Sequence, residues 1–311
     1  MAKLTILDQK DIAAIGGKYQ LQFDRCSPID GGDENSSFLL NSPEVDYVLT
    51  VYEKKSQPEV ELVALILEHL AEHAFFTNQI IFTPDGRSVV DYRGKSIILK
   101  TWVPGDTLRD VKQEDYRAIG KAIAELHQIP APDFLPKVHS FGLRYMPEAL
   151  GHGVDGEFET WLADKINYLQ AHFPAHLPHA LIHSDLFDDN IIYHQGRFQA
   201  IIDFVNACYY YRAYDLGSVL FGACMENGKL DFVQARKVIA GYLEICELEA
   251  GERTALQYSS VYAGAAVSAW HYVNQNVRRL NEAKKDKYKL AAQRTEQIYQ
   301  IPHSEFNTIL D

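Results

Sequence analysis

The sequence is short of cysteine pairs, basic clusters and long apolar runs, and each shortage narrows what the chain can be. Its four cysteines, Cys26, Cys208, Cys224 and Cys246, are scattered with no CxxC pair. Neither a disulfide framework nor a thiolate metal site is expected, and they read as reduced core thiols. Lys and Arg number 30 against 42 Asp and Glu, a net charge of −12 at pH 7. With no basic run to follow a phosphate backbone, nucleic acid is not an expected partner. The most apolar long stretch, Val261 to Val273, is interrupted by Ser268 and His271. It falls short of the ~20 apolar residues of a bilayer span, so it reads as a buried helix and no membrane partner is expected. There is no repeat and no biased segment that would signal long disorder. The opening MAKLTILDQKDIAAIGG mixes acids with apolar residues, unlike a signal or transit peptide, so a cytoplasmic protein is expected.

What is present is material for a sizeable core. Hydrophobic residues make up 47% of the 311, which suits two domains or one large domain in two lobes. Short β-type runs at 36–40, 46–52, 80–83, 88–92 and 96–102 are separated by turn formers such as Asn41-Ser42-Pro43 and Pro84-Asp85-Gly86. After Pro58, Val60, Val63, Leu67 and Leu70 fall on one face at helical spacing. Pro104-Gly105 breaks the chain, and helices dominate beyond it. Tyr116, Ile119, Ile123 and Leu126 stripe a helix over Gln113–His127, and Phe158, Trp161, Leu162, Ile166 and Leu169 stripe another. Four further helical stretches follow Tyr214. The exception is a hairpin, with Ile191 to His194, a Gln195-Gly196 turn, and Arg197 to Asp203. The expected fold is α+β, with a small antiparallel-sheet lobe over residues 1–101, a hinge at 102–105 and a larger helical lobe over 106–311.

The segment His183-Ser184-Asp185-Leu186-Phe187-Asp188-Asp189-Asn190 leads into the hairpin. Counting from the turn, His194 pairs with Arg197 and Ile191 with Ala200, which brings Asn190 and Asp203 within ~10 Å at the open mouth, at ~3.3 Å rise per strand residue. Asp185 enters the same mouth. A hard cation such as Mg²⁺ takes a few oxygen ligands from protein and the rest from water and phosphate. Asn190 and Asp203 suit that duty, and Asp185 suits proton acceptance from an attacking hydroxyl. Phosphoryl transfer asks for little more than positioning and charge neutralisation. Each of these residues taken singly also suits loop capping and Asx turns.

The pattern H-x-D-L-x-x-x-N, with an I-I-D-F segment after a hairpin, resembles the catalytic and metal-binding loops of the protein-kinase-like fold. Ser184 stands where protein kinases carry arginine, and no glycine follows Asp203-Phe204. Both departures are those of the aminoglycoside phosphotransferase and choline kinase branch. Within that branch the sequences GGDENSSFLL, YVLTVYEKK, PEVELVALILEHLAEH, LIHSDLFDDNIIY and IIDFVNACYYYRAYDL resemble the bacterial homoserine kinases of the kinase-fold type. The resemblance implies a bilobal fold, ATP as co-substrate, Mg²⁺, Asp185 as catalytic base, and Asn190 and Asp203 as metal ligands. It implies structural roles for His183 and for Asp215, which braces the catalytic loop. It implies nucleotide contacts from the loop Gly31, Gly32, Asn35 and Ser36, and from the hinge residues Trp102 and Val103. The lysine that grips the α- and β-phosphates in most kinases falls at Thr50, as it does in homoserine kinases of this type. Lys54, taken to lie four residues on along the same strand face, is a candidate replacement.

The acceptor is the least legible element. Asp188 and Asp189 on the loop are candidates to meet an ammonium, and Asn206 to bond a carboxylate or amine. The patch Tyr209-Tyr210-Tyr211 with Tyr214 is either packing between helices or part of a cage for a choline-like cation. Homoserine is the acceptor the resemblance favours, with choline, an aminoglycoside, or another amino acid or amino sugar as alternatives. Thr50 also keeps open a nucleotide-binding regulator without catalysis. His127, His152, His172, His176 and His179 have no ligand spacing and are expected at the surface or in caps.

Overall fold

The computed structural model describes residues 5–29, 34–108 and 115–311. The chain divides into two compact units, up to Pro104 and from Gly105.

The first unit opens with helix α1 (Gln9–Tyr19), started by a reciprocal cap between Asp8 and Asp11. Strands β1 (Arg25–Ile29), β2 (Ser36–Asn41) and β3 (Tyr47–Val51) follow, then α2 (Gln57–Glu72), β4 (Val90–Tyr92) and β5 (Lys95–Thr101). The strands form one antiparallel sheet in the order β1-β2-β3-β5-β4. Leu49 and Val51 of β3 pack with Leu40, Ile97 and Leu99 against Ile12, Ile15 and Tyr19 of α1. By the alternation of a strand, Thr50 turns to the opposite face. Val60, Val63, Leu67 and Leu70 of α2 are all buried, as their spacing predicts. Two expectations need correction. Residues 80–83 form no strand beyond a single bridge from Ile80 to Lys100, because the Thr83 hydroxyl binds Asp85 and closes a turn there. Lys54 lies past the end of β3, exposed and outside any strand, so it does not share a strand face with Thr50.

The second unit holds β6 (Asp106–Thr107), α3 (Tyr116–Gln128), α4 (Gly156–His172), β7 (His179–Ile182), β8 (Ile191–His194), β9 (Arg197–Ile201) and β10 (Cys208–Tyr211). It continues with α5 (Arg212–Gly222), the hairpin β11 (Met225–Glu226) and β12 (Lys229–Leu230), α6 (Phe232–Leu243), α7 (Ala250–Tyr272), α8 (Lys287–Tyr299) and the short α9 (His303–Phe306). Gln113 lies outside the described residues, and α3 starts at Tyr116. Strands β6, β8 and β9 form one small sheet, and β7 pairs antiparallel with β10. Thus Tyr209–Tyr211, read from sequence as an aromatic patch, is a strand of β-favouring residues. The hairpin register differs from the count made on the sequence. His194 does face Arg197, but Ile191 pairs with Ile201, not Ala200, because Gln199 is an extra residue in β9. The stretch Val261–Val273 lies within buried α7 and the π-helical turn that ends it.

Helices of this unit touch backbone to backbone. A Cβ on Gly120 of α3 would come 1.9 Å from Val238 O of α6, and one on Gly241 would come 2.0 Å from Arg117 O of α3. Gly217 of α5 meets Ser259 of α7 in the same way, at 2.3 Å. All four cysteines are free, and all but Cys26 are buried.

Candidate active site

The site grows from the end of β7. His183 and Ser184 are fully buried, and their N–H groups donate to the two oxygens of Asp215, at 2.7 and 2.8 Å. Asp215 lies in the first turn of α5 and is itself fully buried, where a carboxylate also suits the positive end of the helix. A third donor reaches it: His127 Nε2 is 3.3 Å from Asp215 Oδ2, while His127 Nδ1 meets the Tyr242 hydroxyl at 3.0 Å. His127 therefore belongs to a buried network, which corrects its expected place at the surface. His152, His172, His176 and His179 are exposed.

His183 Nε2 lies 2.8 Å from Ile202 O, and Asp185 N–H donates to His183 Nδ1 at 3.2 Å. These partners assign the neutral tautomer protonated on Nε2. Burial is the main force holding the ring's pKa down, against the charges of Asp215, Asp203 and Asp189 and the Ile202 bond, which raise it. The ring clamps the chain entering the hairpin to the chain leaving it.

Asp185 is half-buried and Asp203 exposed, and both flank the hairpin mouth. Asn190 Nδ2 donates to Asp185 O at 2.8 Å, and Ile202 N–H donates to Asn190 O at 2.9 Å. Asp203 follows directly, in the left-handed region at φ 68°, and starts the 3-10 turn Phe204–Asn206. With its Nδ2 donating to Asp185 O, Asn190 keeps Oδ1 as its side-chain acceptor, and Asp203 adds carboxylate oxygens at the same hairpin mouth. That oxygen-only set fits Mg²⁺, which takes few protein ligands and completes its shell with phosphate and water. Among the described residues there is no group of three or more His, Cys, Asp or Glu that could hold a metal ion.

Tyr214 is buried beneath this loop. Burial, then the charge of Asp185, pushes its hydroxyl pKa well above the ordinary range, so it remains a neutral phenol. Its ring packs on His139 at 4.2 Å and Tyr262 at 4.9 Å, while Tyr210 meets His139 at 5.0 Å. Only Tyr209 of the aromatic patch is exposed, so most of it is packing. Asp188 and Asp189 form the turn of the loop, half-buried and exposed respectively. The Asn206 carbonyl is taken by the Ser184 hydroxyl at 2.7 Å.

In the first unit, Gly31 and Gly32 lie outside the described residues, and Asn35 is half-buried at the edge of β2. Ser36 is buried, its hydroxyl donating to Glu53 Oε1 at 2.5 Å and accepting from Thr5 N–H at 2.9 Å. Glu53 also pairs with Lys95, so the Ser36 side chain is held inside this cluster. Burial raises the Glu53 pKa, but the bonds from Lys95, Ser36 and Thr5 outweigh it and hold the carboxylate below its ordinary value. No sequence signal linked these residues. Thr50 is buried between Ser37 and Ile98. Trp102 is half-buried with its N–H on Asp46 O at 3.0 Å, and Val103 is buried.

An antiparallel-sheet unit followed by a helical unit, with an Asp–Asn–Asp set at the mouth of a hairpin, defines a kinase of the protein-kinase-like fold. Residues 25–248 match the phosphotransferase enzyme family, and the chain belongs to that family. Among relatives, a homoserine kinase of Caulobacter sp. (strain K31) is 33% identical over 270 residues, 82% of this chain and 83% of that one. A homoserine kinase of Sinorhizobium fredii (strain NBRC 101917 / NGR234) is 28% identical over 82% of this chain and 81% of its own length. Among solved structures, amicoumacin kinase hAmiN in complex with AMP-PNP, Ca²⁺ and Ami superposes with a TM-score of 0.72 at 16% identity, covering 96% of this chain and 95% of that one. The protein is a kinase that transfers phosphate to a hydroxyl acceptor, and the non-catalytic alternative is set aside. Among the described residues no helix is long and apolar enough to cross a membrane.

Proposed function

We propose that the chain transfers the γ-phosphoryl group of ATP to the hydroxyl of L-homoserine, with Asp185 as the base. The observation that carries the chemistry is the tying of Asp185, Asn190 and Asp203 to one hairpin mouth by the Asn190–Asp185 and Ile202–Asn190 bonds. Asp185 follows two buried residues held by Asp215, and its own N–H is held by the His183 ring, so its carboxylate is set in place to accept the proton of an attacking hydroxyl. Tyr214 beneath it, a neutral phenol, presents no competing charge. Asn190 and Asp203 would hold Mg²⁺, which when bound neutralises phosphate charge. The hAmiN complex, carrying AMP-PNP and Ca²⁺, supports a nucleotide with a divalent cation on this fold.

The acceptor rests on the homoserine kinase relatives. Homoserine brings a primary hydroxyl, an ammonium and a carboxylate. Asp188 and Asp189 are our candidates for the ammonium, and the Asn206 side chain for the carboxylate. The first unit, up to the hinge 102–105, binds the nucleotide, through the loop at Gly31, Gly32, Asn35 and Ser36, near Thr50, and at Trp102 and Val103. Ser36 contributes there by its backbone, since its hydroxyl is engaged with Glu53. Cytoplasmic residence, beside the ATP pool, belongs to the same reading. ADP release tests the acceptor: kcat/KM is measured for L-homoserine, choline and kanamycin-type aminoglycosides. Homoserine is expected to lead. If it gives no ADP at millimolar concentration while another acceptor does, the named substrate is wrong and only the kinase class stands.

A further inference from the structure

Ser184 precedes Asp185 in a conformation that serine seldom adopts. Its φ is 69°, in the left-handed region where glycine sits without strain. It is fully buried, so water does not compete for its hydroxyl, which donates to Asn206 O at 2.7 Å. Asn206 ends the 3-10 turn that starts at Asp203, and Asp203 is itself left-handed, at φ 68°. Two strained turns, one leading into Asp185 and the other carrying Asp203, are thus joined by a single side-chain bond 22 residues apart in sequence. Glycine at 184 would remove the strain and lose the bond. Alanine would keep the strain and lose the bond. Serine is the smallest residue that makes the bond, and it does so where its backbone is disfavoured.

We propose that Ser184 is a positioning residue whose hydroxyl sets the Asp203 turn at a fixed place relative to Asp185. The proposal rests on the reading of Asp203 as a metal ligand and Asp185 as the base. The bond acts on geometry, so its loss is felt in metal requirement and turnover more than in folding.

The test compares S184G and S184A with wild type and with D203A. Three quantities are read: melting temperature without ligand, the rise in melting temperature as Mg²⁺ is titrated at fixed ADP, and kcat against Mg²⁺. Both variants lose the bond, and S184G is expected to melt above S184A, because only alanine keeps the disfavoured backbone. Both are expected to need roughly fivefold more Mg²⁺ for half the melting rise and to lose roughly fivefold in kcat, the scale of one buried hydrogen bond. If S184G titrates Mg²⁺ and turns over like wild type, the hydroxyl only fills space and the proposal is overturned. The same holds if S184A alone is impaired. D203A separates the two layers: if it leaves the Mg²⁺ dependence of the melting rise unchanged, it is the metal reading of Asp203 that fails.

Discussion

Removing the Asp215 carboxylate strips two buried backbone donors of their acceptor at once. In D215A the N–H groups of His183 and Ser184, now bonded at 2.7 and 2.8 Å, have no replacement, and both residues are fully buried. A buried donor left unsatisfied costs about 1–3 kcal/mol, so the pair costs about 2–6 kcal/mol, before the weaker His127 contact is counted. Against a total of about 5–15 kcal/mol for a folded domain, that is a large share. For a unit running from Gly105 to Asp311, each kcal/mol moves the melting point by about 2–4 °C, which gives a fall of about 4–24 °C. D215N keeps one acceptor oxygen but sets its NH₂ against the second N–H, so it is expected to fall about half as far. Circular dichroism melts of both variants, with kcat alongside, make the measurement. A D215A protein melting within about 2 °C of wild type would refute the brace, whatever its activity.

D185N is expected to bind nucleotide normally and to lose about 10²–10⁴ in kcat, the usual worth of a general base; near-wild-type turnover sinks that assignment. D203A is expected to weaken Mg–ATP binding more than N190A, because a charged ligand is lost, and unaltered affinity in both titrations would refute the metal roles. Burial holds the His139 pKa at about 3 against the ordinary 6.5, with the Asp215 charge opposing. The unfolded chain therefore takes up a proton below pH 6.5 that the folded chain refuses until about pH 3, and stability falls as pH drops through that window by up to about 1.4 kcal/mol per unit. H139F is expected to flatten that fall between pH 6 and 4 in urea unfolding, and an unchanged slope counts against it.

The arrangement of the proposed catalytic segment was legible because its parts are local. His183 to Asn190 is one run, and a hairpin with a Gly turn returns the chain to Asp203. The two-lobed α+β organisation followed from periodicities that switch at Pro104-Gly105. What escaped depends on distance or on a single inserted residue. Gln199 looks like any polar strand residue, and nothing local marks it as a bulge. His127 meets Asp215 across 88 positions, and Glu53 meets Lys95 across 42; no spacing rule spans such gaps. Helix α1 carried a usable sign, Asp8 three residues before Asp11, but Gly16 and Gly17 weaken its propensity. In Tyr209–Tyr211 the strand preference was visible and was outweighed by the density of rings.

The glycine contacts between helices have a practical consequence for anyone who would retarget this enzyme. At Gly120, Gly217 and Gly241 a single added methyl group would lie only 1.9, 2.3 and 2.0 Å from a neighbouring backbone atom, far inside van der Waals contact. A randomised library that includes these positions would spend its diversity on chains that cannot assemble. The turn at Asp188-Asp189, our candidate for the acceptor's ammonium, contains no glycine packed in this way. Selection for new acceptors is best begun there, with the helices left as they are.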